Sequence, residues 1–131
     1  MTAGPTTGII IVDHGSRRAQ SNEALVAAAR RFAEVSEFTI VELAHMELVQ
    51  PDVAAAFDRC VQQGAERIVV FPYFLSPGRH WKHDIPDLVA AAAKSHPEAT
   101  WIVTAPFGIH DAMMQVIRER IDEALGSSAA S

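Results

Sequence analysis

The chain has 131 residues, 49% hydrophobic and 21% charged, with a formal net charge of −5. These figures suit one soluble globular domain and exclude a wholly disordered chain; the acidic balance argues against a general nucleic-acid binder, and no apolar run nears the ~18–20 residues of a membrane span. A single cysteine, Cys60, excludes an intrachain disulfide and a cysteine-based zinc cluster, and six histidines stand beside it.

Residues 1–7 carry no basic stretch ahead of an apolar run, so they read as a flexible tail without a secretory signal, and the chain is expected to be cytoplasmic. Gly8 to Val12 is a continuous β-branched run, the pattern of a strand covered on both faces. A helix fits Ser21 to Ser36, with Leu25, Val26, Ala29, Phe32 and Ala33 on one face. Phe38 to Ala44 is a second strand, and its Glu42 suggests an edge position. Pro51 opens a second helix, with Val53, Phe57, Cys60 and Val61 inward and Gly64 as its stop. Arg67 to Phe71 is the third strand. Asp84 suits the cap of a third helix, with Pro86 in its first turn and His96-Pro97 at its end. Trp101 to Val103 is the fourth strand. The last helix spans Asp111 to Leu125, with Met113, Met114, Ile117, Ile121 and Leu125 expected inward, and residues 126–131 read as a frayed tail. Strands alternating with helices of this length predict an α/β single domain over residues 8–125: a parallel four-stranded sheet with helices on both faces.

In such a sheet, ligands bind beyond the carboxyl ends of the strands, at a topological switch point. His14 leaves the first strand, His45 and Glu47 the second, His80 and His83 the third, and His110 the fourth. With strand order 2-1-3-4, His14 and His80 face each other across the crevice. Two neutral imidazoles and a carboxylate can hold a divalent transition metal with positions left open, as a site that hands its metal on requires. Plainer readings stand beside this one. His45, His83 and His110 each also suit a polar cap, His96 suits a helix C-terminus, and Cys60 suits core packing.

Asp13-His14-Gly15-Ser16-Arg17, with Asn22 following, resembles the opening motif of the sirohydrochlorin chelatases, which insert a metal into a tetrapyrrole without ATP. Ala44-His45-Met46-Glu47-Leu48 with Pro51 resembles the family's second motif. Phe71 to Trp81, with Asp84-Ile85-Pro86, resembles its long third motif, and Thr104 to Gly108 its segment after the last strand. The wording is nearest to the sirohydrochlorin ferrochelatases. The resemblance implies a chelatase-like, flavodoxin-like three-layer sandwich. It makes His14 and His80 the metal-handling histidines and Glu47 the acidic partner. The metal is a substrate, Fe²⁺ first, Co²⁺ next and Ni²⁺ admitted, with no permanent cofactor. Many relatives have two similar halves, so a chain matching one half implies a homodimer whose second copy completes the pocket.

The implied reaction joins M²⁺ to sirohydrochlorin and releases two protons, with Glu47 as acceptor. The substrate is a polycarboxylate, so Ser16, Arg17, Gly78, Arg79 and Lys82, with the amides of Gly15 and Ser16, are the expected substrate-binding groups. Trp81 could cover a macrocycle face or pack in the core. No nucleic-acid or membrane partner is expected. Two other functions remain open: a non-catalytic tetrapyrrole or metal carrier, and a phosphohistidine-type phosphatase acting through His14. The Asp13 before the His-Gly pair, where such phosphatases usually have arginine, disfavours the second.

Overall fold

The computed structural model describes residues 4–76 and 79–130, with the backbone alone for residues 79–83 and 127–130. The elements run β1 (Thr7–Asp13), α1 (Ala19–Val35), β2 (Ile40–His45), α2 (Val53–Gln62), β3 (Arg67–Pro72), α3 (Arg79–Ala93), β4 (Thr100–Val103) and α4 (Asp111–Ala130). All four strands are parallel, in the order β2-β1-β3-β4 expected from the sequence.

β1 has an apolar face on each side of the sheet. Ile10 and Val12 point into a core shared with Phe57 and Cys60 of α2 and Ile85 and Val89 of α3. Ile9 and Ile11 join Leu25 and Ala29 of α1 on the other side. A strand buried on both faces has no polar face to show, which is why its sequence reads as an unbroken apolar run. Cys60 is part of this packing, and burial pushes its thiol pKa up to about 12. Glu42 lies on edge strand β2, as expected, and accepts a hydrogen bond from the Gln63 amide at 2.9 Å.

The larger boundary differences from expectation lie at α2, α3 and α4. α2 begins at Val53, two residues past the Pro51 expected to open it, and its cap is Asp52, whose carboxylate accepts the Ala55 amide at 2.9 Å. α3 starts at Arg79, ahead of Asp84, so Asp84 is not its cap and Pro86 lies inside the helix. Pro86 lacks an amide to donate. Its neighbours Ile85 and Val89 are fully buried, and burial worth roughly 1.5–3 kcal/mol per side chain offsets the lost bond. α4 continues through Gly126 to Ala130 where a frayed tail is expected.

The Asp52 cap carries a pH dependence. The Ala55 amide, and then the Gln50 side chain, hold its carboxyl below the usual value. A carboxyl with a lowered folded pKa stabilises the fold above its unfolded pKa, and that contribution is lost as pH falls through the folded value. Asp52→Ala is expected to cost about 1 kcal/mol at neutral pH. In urea titrations the gap from wild type should narrow below about pH 4.

The largest difference concerns α4. Met113 is half-buried, but Met114, Ile117, Ile121 and Leu125, all expected inward, are exposed at 45%, 53%, 49% and 63%. Among the described residues α4 makes no more than marginal contact with any other element. The helical periodicity is real, but the surface that would cover its apolar stripe is not supplied by this chain's own sheet. The sheet face on the α1 side correspondingly retains an apolar groove of about 410 Å³ lined by Phe32, Phe38, Val69, Phe71 and Phe107.

Candidate active site

His14 follows β1 and Glu47 follows β2, so neighbouring parallel strands deliver both to the same sheet edge. They line one cavity of about 520 Å³ with Met46 and with Asp84, Asp87 and Leu88 of α3. The two loops are joined through their backbones. The Met46 amide donates to the Asp13 carbonyl at 2.8 Å and the Glu47 amide to the His14 carbonyl at 3.1 Å. The His14 ring stacks on Phe74, just beyond β3, with centroids 4.3 Å apart and planes 23° from parallel. Phe74 is held in turn from the β4 side, where the Phe107 amide donates to its carbonyl at 3.1 Å.

Gly15 is required where it stands. Its φ is +89°, and a Cβ there would lie 2.0 Å from the Glu47 carbonyl oxygen. Only glycine lets the His14 loop approach the Glu47 loop this closely. Leu48, beside Glu47, also has a positive φ of 74°, uncommon for a residue with a side chain.

Of the residues expected at the site, His14 and Glu47 are brought together. Ser16 is half-buried and its hydroxyl accepts the Arg18 amide at 3.0 Å, while Arg17 is exposed. The Gly15 and Ser16 amides, expected to face the substrate, are taken up within the loop. The Gly15 amide donates to Asp13 Oδ1 at 3.0 Å and the Ser16 amide to Asn22 Oδ1 at 3.0 Å. Asn22 returns a bond to the Ser16 carbonyl at 2.7 Å, so this asparagine locks the turn from both sides. Arg79, His80 and Lys82 fall in the first turn of α3, following β3. Their side chains, with those of Trp81 and His83, and the whole of Gly78, lie outside the described residues.

None of the remaining described histidines lines the cavity. His110 Nδ1 accepts the Ala112 amide at 3.0 Å at the start of α4. His96 stacks near Phe57 and its Nε2 lies 2.6 Å from Asp58 Oδ1. His45 is 2% exposed and lines a separate groove outside β2, with Gln50 and Pro51, rather than the cavity. Asp84 and Asp87 were missed as cavity residues because Asp84 reads as a cap in the sequence. The usable signal was the spacing of Asp84, Asp87 and Leu88, which share one face of a helix that has already begun. Together with Glu47 they give the cavity three carboxylates, groups able to take protons leaving a substrate. Among the described residues, no three His, Cys, Asp or Glu side chains are grouped closely enough to hold a metal ion.

The family model described as CbiX matches residues 8–124. The chain belongs to the CbiX family. This CbiX-family chain is 51% identical over 122 residues to the chloroplastic sirohydrochlorin ferrochelatase of Arabidopsis thaliana, covering 93% of the chain and 54% of that protein. It is 40% identical over 88 residues to the sirohydrochlorin cobaltochelatase of Methanocaldococcus jannaschii, covering 67% and 62%. The sirohydrochlorin chelatase SirB from Bacillus subtilis subspecies spizizenii, solved in complex with cobalt, superposes with a TM-score of 0.84 at 30% identity, over 90% of this chain and 50% of that one. The chain thus spans about half the length of the Arabidopsis thaliana ferrochelatase and of the Bacillus chelatase.

Proposed function

We propose that this chain inserts a divalent metal, Fe²⁺ first and Co²⁺ next, into sirohydrochlorin without ATP. The observation that carries this reading is the meeting of His14 and Glu47, from adjacent strand ends, in one acidic cavity at the functional edge of the sheet. Neutral His14, with His80 from the first turn of α3, holds the metal loosely enough to release it. Glu47 accepts a pyrrole proton. The described lining is acidic, so the macrocycle's carboxylates are assigned to Arg17, Arg79 and Lys82 in this reading. Relatives named for iron and for cobalt insertion support this substrate class. The metal is a substrate here, no resident cofactor is assigned, and neither nucleic acid nor membrane takes part. No helix among the described residues is long and apolar enough to cross a membrane. A cytoplasmic location for the working unit, residues 8–125, is part of the same proposal.

The working form in this reading is a homodimer. The apolar stripe of α4 and the apolar groove on the α1 side are both uncovered, and they match in chemistry. A second copy related by a two-fold axis covers both surfaces at once, because each chain offers a stripe and a groove.

The test is anaerobic incubation of protein, sirohydrochlorin and Fe²⁺ or Co²⁺, followed through the macrocycle absorption spectrum. Acceleration over the protein-free rate is expected with both metals. Binding of the macrocycle without acceleration would make the chain a carrier and overturn the proposal.

A further inference from the structure

His45 ends β2 directly opposite Asp13, which ends β1. Its Nδ1 lies 2.6 Å from Asp13 Oδ1, and the same oxygen accepts the Gly15 amide at 3.0 Å. A carboxylate only accepts, so His45 Nδ1–H donates and its tautomer is set. The His45 backbone amide also donates to the Pro51 carbonyl at 2.9 Å, which holds the far end of the Glu47 loop. One buried residue therefore fastens the turn after His14 through its side chain and the loop carrying Glu47 through its backbone. Because its ring lies outside the cavity, it has no direct part in metal or proton transfer.

Packing alone does not account for a histidine here. Burying a polar pair carries a desolvation cost that an apolar ring of similar volume avoids. What the pair adds is direction: Asp13 is held at once by the His45 ring and the Gly15 amide, in the stretch where Gly15 passes close to the Glu47 carbonyl. We propose that the buried His45–Asp13 pair is a positioning element that sets the placement of His14 relative to Glu47. The proposal rests on those two residues being the reacting pair. A misplacement of about 1 Å in such a pair can cost on the order of 100-fold in rate.

The test compares His45→Phe, which matches the ring without a donor, with His45→Asn, whose amide can stand in for Nδ1–H. His45→Phe is expected to lower kcat for metallation about 10- to 100-fold with KM for sirohydrochlorin nearly unchanged, and His45→Asn to recover most of that loss. Adding Asp13→Asn to His45→Phe should cost little more, since both act through one bond. Should His45→Phe fail to fold, His45→Gln, whose amide reaches the Nε2 position instead, takes its place in the comparison. Wild-type kcat in the donor-less variant would overturn the proposal, as would failure of His45→Asn to recover rate at equal thermal stability. Amide NMR shifts give a reading independent of turnover. Those of Gly15 and Glu47 should move in the donor-less variant and return in His45→Asn. A wild-type protein without metallation activity would refute the proposed function. In that case unmoved Gly15 and Glu47 amides would still overturn the positioning role, and moved ones would uphold it as a property of the loop pair.

Discussion

His14→Ala is expected to lower the rate of iron or cobalt insertion by about 100-fold or more, while leaving the fold in place. His14 is exposed at the mouth of the cavity and its ring rests on Phe74, so removing it opens no buried void and stability should stay within about 0.5 kcal/mol. What disappears is an imidazole that is oriented before the metal arrives. The rate follows from the macrocycle spectrum under anaerobic conditions, and metal uptake from equilibrium dialysis with Co²⁺. The two measurements separate the roles at the site: His14→Ala should lose both, whereas Glu47→Gln should lose rate and keep metal uptake. An unchanged rate in His14→Ala would remove this histidine from the mechanism.

Replacing Ile117 and Ile121 together by glutamate is expected to convert the proposed dimer into a monomer. Both side chains lie on the uncovered stripe of α4 and are about half exposed within one chain, so the charges meet water in the monomer. In the dimer the same carboxylates enter an apolar interface without partners, which costs several kcal/mol and weakens association by roughly 100-fold or more. Light scattering behind size-exclusion chromatography reads the mass, and far-UV circular dichroism should show the helices retained. A wild-type protein that runs as a monomer at tens of micromolar would refute the dimer. A variant that unfolds instead of dissociating would mean that α4 is seated on its own sheet.

The sheet was legible because its signal is local. β1 and β3 are short β-branched runs, and alternating strand and helix leaves few topologies to choose among. The meeting of His14 and Glu47 in the candidate site was legible for the same reason, since His14 follows β1 directly and Glu47 lies two residues beyond β2. Asp84 misled because Asp before Ile-Pro is a strong cap pattern, and nothing local reports that a helix has already started five residues upstream. The face of α4 misled differently. Periodicity identifies an apolar stripe, but whether the same chain or another covers it depends on surfaces distant in sequence. His45 was legible as a residue near the site, but its pairing with Asp13 depends on strand register, which sequence pattern does not report.

The central β1–β3 ladder has a consequence for how the protein is made. It pairs Thr7 with Arg67, residues separated by 60 positions, and ends with Val12 opposite Pro72. Loop-closure entropy must be met before such a pair forms, and parallel pairings between distant segments are slow. A nascent chain that has not yet emerged through Phe74 has neither the middle of its sheet nor the ring beneath His14. During synthesis the isoleucine run of β1 therefore waits uncovered on one edge while some 60 further residues emerge, and the candidate site at its end is assembled only then.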